Sequence, residues 1–80
     1  MKCTQYFLFV RNRKDRMMIT DEWILKTILN PVKIEIQNDG RIRKWSFIEE
    51  VGKYLRVIIL EDGETVHNAF FDRNFKEDKS

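Results

Sequence analysis

The stretch that decides the fold is Tyr54-Leu-Arg-Val-Ile-Ile-Leu-Glu-Asp-Gly-Glu-Thr-Val-His-Asn-Ala-Phe-Phe71. Two runs rich in β-branched and aromatic residues flank an acidic four-residue segment that contains Asp62 and Gly63. An Asp-Gly pair between such runs is among the strongest short signals for a β-hairpin. The sequence therefore predicts two antiparallel strands here, with the single histidine, His67, in the second strand.

A two-residue turn at Asp62 and Gly63 predicts which residues of this hairpin lie opposite each other. The predicted pairs are Leu60–Thr65, Ile59–Val66, Ile58–His67, Val57–Asn68 and Arg56–Ala69. Opposed residues share a face, and faces alternate along each strand. One predicted face holds Leu55, Val57, Ile59, Val66, Asn68 and Phe70, and the other holds Tyr54, Arg56, Ile58, His67 and Phe71. Arg56 and His67 would then be diagonal neighbours, roughly 7–8 Å apart at the backbone.

The first half of the chain predicts helices. The apolar run over residues 3–10 fits either a helix or a strand, and a helix is favoured because the run leads into the polar connector Arg11-Asn-Arg-Lys-Asp-Arg16. Thr20 is a good N-cap, an apolar stripe follows it, and Asn30-Pro31 is a typical helix end. These signals predict a helix over residues 21–29.

A second hairpin follows this helix. Residues 32–37 and 41–48 each alternate between apolar and polar side chains, and Asn38-Asp39-Gly40 separates them. A two-residue turn would pair Ile34–Trp45, Glu35–Lys44 and Ile36–Arg43, whereas a three-residue turn would shift these pairs.

The predicted fold is an α+β domain of two layers, with one or two N-terminal helices packed on a four-stranded antiparallel sheet. Residues 1–80 form one domain, and residues 76–80 are expected to be a disordered tail. The helices cover one face of the sheet. The opposite face stays open and carries Arg56 and His67.

Composition limits the functional classes. The chain has 80 residues, a formal net charge of +2, one cysteine and one histidine, so an intrachain disulfide is excluded and a structural zinc site is not expected. We predict no metal and no cofactor. The sequence shows neither a membrane-spanning run nor a secretory signal, which predicts a cytoplasmic protein. So small a core makes a partner protein or a homodimer an expected source of stability.

The polar residues of the predicted sheet suit a phosphate-rich substrate. Arginine forks bind phosphate oxygens, a histidine can act as general acid or base, and an aromatic ring can stack on a base. We predict catalytic roles for His67, Arg56 and Arg73, and RNA or phosphate binding by Arg16, Arg41, Arg43 and Trp45. The structural alternatives are a surface histidine, a core tryptophan and a solvated basic connector.

Several short motifs occur together in one order, and most of residues 4–75 contribute to them. They are Asp15-Arg16, Ile19-Thr-Asp-Glu-Trp-Ile24, Asn30-Pro-Val32, Asp39-Gly-Arg-Ile-Arg-Lys-Trp45, Tyr54-Leu-Arg-Val57 and Thr65-Val-His-Asn-Ala-Phe-Phe-Asp-Arg73. In these motifs the chain resembles small bacterial toxins of the RelE/BrnT-like superfamily, whose fold includes barnase and EndoU nucleases.

The resemblance implies a RelE-like two-layer fold and a type II toxin that cleaves RNA without metal, often mRNA on the ribosome. It also implies a small antitoxin that covers the active face. Arg16 matches the arginine before the helix, Arg56 matches the strand arginine, and His67 and Arg73 match the positions on the terminal strand. Many relatives carry a histidine in the N-terminal segment, where this chain offers Tyr6.

Three hypotheses follow from the sequence. The first is a metal-independent endoribonuclease toxin. The second is a non-catalytic module that binds RNA or an acidic protein through its basic sheet face. The third is a structural interaction domain whose open face is covered in a dimer.

Overall fold

A computed structural model describes residues 1–77 of the chain. Its elements are α1 (Gln5–Val10), α2 (Asp21–Leu29), β1 (Lys33–Ile36), β2 (Ile42–Ile48), β3 (Lys53–Ile59) and β4 (Val66–Phe71). The strands form one antiparallel sheet in the order β1-β2-β3-β4, which confirms the predicted α+β arrangement. Of the expected tail, residues 76 and 77 form no regular structure, and residues 78–80 lie outside the described part.

The helices begin and end where local signals place them. The Thr20 side chain accepts a hydrogen bond from the Trp23 backbone N–H at 3.1 Å, and Asn30 ends α2. The Thr4 side chain caps α1 in the same way, through the Phe7 N–H at 3.1 Å. The predicted helix over 21–29 is confirmed. Neither described helix has the length and apolarity that a membrane crossing requires.

The segment over residues 3–10 contains both structures that its sequence allowed. Cys3 makes an isolated parallel bridge to Val66 at the edge of β4, and the backbones of Lys2 and Thr4 hydrogen-bond to Val66 as well. The helix follows directly at Gln5. The favoured helical interpretation is confirmed for residues 5–10, and the first residues extend the sheet edge.

The core lies between the helices and one face of the sheet. Its buried apolar residues are Phe7, Val10, Ile19, Ile24, Ile48, Leu55, Val57, Ile59, Val66 and Ala69. A buried hydrogen bond of 2.6 Å joins the hydroxyls of Thr27 on α2 and Ser46 on β2. Both groups are thereby satisfied inside the core, and the bond holds α2 over β2.

The register between β1 and β2 differs by one residue from the first prediction. The observed pairs are Lys33–Trp45, Ile34–Lys44, Glu35–Arg43 and Ile36–Ile42. The turn has three residues, because the Gln37 N–H donates to the Arg41 carbonyl at 2.7 Å. Gly40 takes a φ of 89°, a conformation that glycine adopts without steric cost. The pairs predicted from a two-residue turn are wrong, and Glu35 faces Arg43 instead of Lys44.

The β3–β4 hairpin follows the predicted register only as far as Val66. Ile59 pairs with Val66, and the Leu60 N–H donates to the Thr65 carbonyl at 2.9 Å across a four-residue loop. The register then shifts at a β-bulge. Beyond it the observed pairs are Ile58–Asn68, Val57–Ala69, Arg56–Phe70 and Leu55–Phe71.

The bulge reverses the predicted faces of the residues that follow it. A shift of one residue moves each later side chain to the opposite face of a strand. Asn68 and Phe70 therefore share the open face with Arg56, and Phe71 shares the helix-covered face with Leu55. The predicted positions of Asn68, Phe70 and Phe71 on the opposite faces are wrong.

Candidate functional site

The bulge separates the two residues that formed the central functional prediction. Arg56 lies opposite Phe70, three positions along β4 from His67. The predicted diagonal contact between Arg56 and His67 is therefore wrong. His67 lies near the start of β4, Arg56 lies near the middle of the sheet, and Arg73 follows the end of β4. The three predicted catalytic residues do not form one cluster.

His67 is held by the N-terminal segment. Its Nδ1 atom shares a hydrogen bond of 3.1 Å with the Thr4 hydroxyl, and its ring stacks on Tyr6 with 5.0 Å between centroids. Burial lowers the pKa of His67, the positive charge of Arg41 lowers it further, and Asp39 partly opposes the shift. The imidazole is therefore mostly neutral at neutral pH. It lies at the end of the sheet that carries the β1–β2 turn and the β3–β4 loop.

Arg56 is part of a layer of stacked side chains on the open face. Its guanidinium lies over the rings of Trp45 and Phe70, at 5.5 and 5.2 Å from their centroids. The Arg56 Nη1 atom is 3.5 Å from the Asp72 carboxylate, which also accepts a hydrogen bond from the Trp45 indole at 3.0 Å. Arg56 is thus already paired with a carboxylate and enclosed by rings, as expected of a structural cation.

Trp45 is covered by the segment that follows β4. Only 4% of its surface is exposed, because the Phe75 ring stacks on it with 5.0 Å between centroids. Phe75 also contacts Tyr54 edge to face at 4.9 Å. The predicted stacking of an RNA base on Trp45 would require Phe75 to move away.

A groove beside the end of β4 brings together Arg16, a predicted phosphate ligand, and Arg73, a predicted catalytic residue. We call it the cationic groove. Its volume is about 400 Å³, and its lining residues are Asp15, Arg16, Met18, Lys53, Phe70, Phe71 and Arg73. Arg16 comes from the connector between the helices, and Arg73 comes from the other end of the chain. Three cations and one carboxylate therefore line one cavity.

Arg16 is fixed in this groove by contacts to β4. Its Nη1 atom donates to the Asn68 side-chain oxygen at 2.8 Å, and its guanidinium lies 5.2 Å from the centroid of the Phe70 ring. Asp15 lies 3.5 Å from the Arg16 Nε atom, yet that buried N–H has no hydrogen-bond acceptor among residues 1–77. The guanidinium is thus oriented while retaining an unsatisfied donor.

Lys53 is the groove cation that the sequence did not indicate. The shifted register places the Asp72 N–H on the Tyr54 carbonyl at 2.9 Å, which brings Arg73 across from Lys53. Without the bulge, Lys53 would face Asp72 instead. Both cations are exposed, and the Lys53 ammonium lies 5.4 Å from the centroid of the Phe71 ring. No sequence signal revealed this pairing, because it depends on the bulge.

The other predicted phosphate ligands lie elsewhere. Arg41 and Arg43 are near the β1–β2 turn, and neither lines the cationic groove. The Arg41 Nε atom is 3.7 Å from Asp39, and the Arg43 Nη1 atom is 3.4 Å from Glu35. Nearby carboxylates reduce the positive potential around both arginines. The cationic groove is therefore the better candidate for binding phosphate.

Metal-ligating side chains are not clustered in the part of the chain that the structure describes. No three histidine, cysteine, aspartate or glutamate side chains in residues 1–77 are grouped to hold a metal ion. Guanidinium and ammonium groups beside aromatic rings are instead the chemistry of polyanion binding. Comparisons with protein-family models, with curated proteins and with solved structures gave no match.

Proposed function

We propose that this protein binds RNA through phosphates seated in the cationic groove and acts there as a metal-independent endoribonuclease. The observation that supports this most directly is the convergence of Arg16, Lys53 and Arg73 on one cavity of about 400 Å³. Arginine and lysine contact phosphate oxygens without reading sequence. The rings of Phe70 and Phe71 in the same lining offer apolar surface to a ribose or a base.

RNA cleavage without metal requires a proton acceptor, a proton donor and positive charge around the phosphate. In the proposed reaction the 2′-oxygen attacks phosphorus, its proton passes to a base, and the 5′-oxygen leaves with a proton from an acid. Arg16 and Arg73 would stabilise the charge that develops on the phosphate oxygens. Asp15 lines the groove with 73% of its side chain exposed, so its carboxylate is accessible to a bound 2′-hydroxyl and would accept the proton, and Lys53 would donate one.

The role of a toxin in a toxin–antitoxin pair is part of the same proposal. It derives from the resemblance of the sequence motifs to RelE/BrnT-like toxins, with ribosome-bound mRNA as a candidate target. A small antitoxin would neutralise the protein by covering the cationic groove, and carboxylates on that antitoxin would complement its three cations.

A second candidate function is RNA binding without cleavage. The position of His67 favours it, because the chain's one histidine is bonded to Thr4 and does not line the cationic groove. Arg56, the other predicted catalytic residue of the sheet, is paired with Asp72. A groove that holds phosphate without a strong general base is a binding site alone.

The two candidates differ in one assay. The purified chain is incubated with end-labelled single-stranded RNA in excess EDTA, and cleavage and binding are measured in parallel. The endoribonuclease proposal expects cleavage that Arg73→Ala removes and that Asp15→Asn slows by about 10²-fold or more. His67→Ala should stay active. Binding by the wild type without cleavage would favour the second candidate.

Lys2→Ala is the matched control for this assay. It removes one exposed cation near Glu64, at the β3–β4 loop, and it should leave both cleavage and binding unchanged. Loss of cleavage in Lys2→Ala or persistence in Arg73→Ala would contradict the groove assignment. In cells, expression of the wild type should arrest growth, expression of Arg73→Ala should not, and a small acidic protein encoded beside the gene should relieve the arrest.

A further inference from the structure

Four aliphatic side chains at the end of α2 and along β1 are exposed to solvent. Leu29, Val32, Ile34 and Ile36 have 73%, 49%, 53% and 75% of their surface accessible, and we call this group the β1 patch. It arises because α2 packs on β2 and β3 and leaves the helix side of β1 uncovered. Contiguous exposed apolar side chains of this kind mark interaction sites.

The edge of β1 is open as well. At the other side of the sheet, the backbone of residues 2–4 hydrogen-bonds along the start of β4, whereas no described segment pairs with the outer edge of β1. The Gln37 N–H points inward to the Arg41 carbonyl, so the alternation of an antiparallel strand turns the backbone groups of Ile34 and Ile36 outward. Such an edge is a template for another strand.

The side-chain order of this strand is complementary to itself. In Val32-Lys-Ile-Glu-Ile36 a cation and a carboxylate flank the central Ile34. If two copies pair antiparallel about Ile34, Lys33 of each chain lies opposite Glu35 of the second copy. Ile36 then lies opposite Val32, and Ile34 faces its own counterpart. Pairing about Glu35 would instead place two carboxylates opposite each other, which is unfavourable.

We propose that this protein forms a homodimer in which two β1 strands pair antiparallel about Ile34 and join the two sheets into one of eight strands. The apolar patches of the two copies then lie side by side on the helix side, where Ile34 contacts its counterpart. On the open side the Glu35 carboxylate, which lies 3.8 Å from Lys33 and 3.4 Å from Arg43 within its own chain, gains a cation from the second copy.

The charge pattern favours a second copy of this chain over an unrelated partner. Pairing with an unrelated strand would not require this segment to be complementary to itself. Here Lys33 and Glu35 carry opposite charges on the two sides of Ile34, which is the arrangement that a two-fold axis through Ile34 requires. The dimer is also independent of the proposed RNA function. The cationic groove lies at the β4 end of the sheet, so both grooves stay accessible in the pair.

Charge reversal across the proposed interface provides the test. Sedimentation equilibrium of the full chain should give twice the mass of one chain. Lys33→Glu or Glu35→Lys should each weaken the dimer about tenfold, because each places two like-charged pairs across the two-fold axis. The double variant Lys33→Glu/Glu35→Lys restores opposite charges and should regain the wild-type affinity. Lys14→Glu, a charge reversal in the connector, is the control.

A cross-linking experiment measures the register separately from the charges. In a Cys3→Ser background, Ile34→Cys should form a covalent dimer when copper phenanthroline oxidises the two thiols to a disulfide. Gln37→Cys, three residues from the axis, should form no covalent dimer under the same oxidation. A monomeric wild type at every concentration, a double variant as weak as the single variants, or cross-linking through position 37 alone would overturn the proposal.

Discussion

Asp72 lies 3.5 Å from the Arg56 Nη1 atom, and the two side chains are only 14% and 21% exposed. This ion pair anchors the residue directly before Arg73 to the middle of β3. Arg56 therefore positions the chain as it leaves β4 for the cationic groove. We therefore expect Arg56 to act on the proposed site by holding Arg73 in place, through its ion pair with Asp72.

Asp72→Asn should lower the free energy of unfolding by about 1–3 kcal/mol. The amide keeps an oxygen acceptor for the Trp45 indole but leaves the Arg56 guanidinium without a counter-ion. Urea denaturation followed by circular dichroism measures the change. Glu49→Gln removes an exposed carboxylate and should have little effect. Equal stability of Asp72→Asn and the wild type would show that the ion pair contributes nothing.

The same carboxylate predicts a loss of stability in acid. Burial raises the pKa of Asp72, but hydrogen bonds from Trp45 and Asn74 and the charge of Arg56 outweigh it, and the pKa lies below its ordinary value of 3.8. A carboxyl whose pKa is lower in the folded protein than in the unfolded chain stabilises the fold at pH values above its unfolded pKa. This contribution is lost as the pH falls through its folded pKa. The loss of unfolding free energy on acidification should therefore be smaller in Asp72→Asn than in the wild type.

The element boundaries could be predicted because their signals are local. Thr20 accepts its hydrogen bond from a residue three positions later, and Pro31 restricts the residue directly before it. Alternation of apolar and polar residues likewise depends only on neighbours. These features need no knowledge of distant contacts, so the helix over 21–29 and the four strands follow from the sequence.

The register beyond Val66 could not be predicted, because the residues that contact β4 at the bulge are distant from it in the sequence. His67 is bonded to Thr4 and stacked on Tyr6, both more than 60 positions away in the chain. No local sequence pattern in β4 indicates that contact. One inserted residue was enough to separate Arg56 from His67 and to bring Arg73 to Lys53. The candidate site therefore lies in a different place from the predicted one, although its two arginines, Arg16 and Arg73, are among the predicted site residues.

Arg41→Gln should raise the pKa of His67. Burial is the largest cause of the lowered pKa and stays in place, while the second cause, the charge of Arg41, is removed. NMR titration of the imidazole measures the pKa, which in the wild type should lie below its ordinary value of 6.5. Arg43→Gln is the matched control and should leave the titration unchanged. An identical shift in both variants would contradict the assignment to Arg41.

The lowered pKa of His67 also sets the direction of a stability change. The unfolded chain binds this proton more readily than the folded chain, so the contribution to stability is present above pH 6.5 and is lost as the pH falls through the folded value. Denaturation midpoints should fall over this range in the wild type and less in His67→Gln. A midpoint that rises on acidification would reverse the sign and refute the prediction.

Asp62→Asn should reduce the sensitivity of the β3–β4 loop to strong acid. The pKa of Asp62 is lowered from 3.8 to about 2 by the Thr65 hydroxyl and by the backbone N–H groups of Glu64 and Thr65. The ionised carboxylate therefore contributes its full stabilisation above pH 3.8 and loses it as the pH falls through about 2. Amide hydrogen exchange of Thr65 measures loop opening. Comparable pH dependence in both proteins would exclude this role for Asp62.

Removing one groove cation should change the salt dependence of RNA binding by a defined amount. Each phosphate contact to a single strand contributes about 0.7 to the slope of log affinity against log salt. Lys53→Ala and Arg73→Ala should each lower the slope by about that amount, and the double variant by about twice as much. Fluorescence anisotropy at several salt concentrations measures the slopes. Lys2→Ala should leave the slope unchanged, and an equal fall in that control would indicate binding by overall charge instead of the groove.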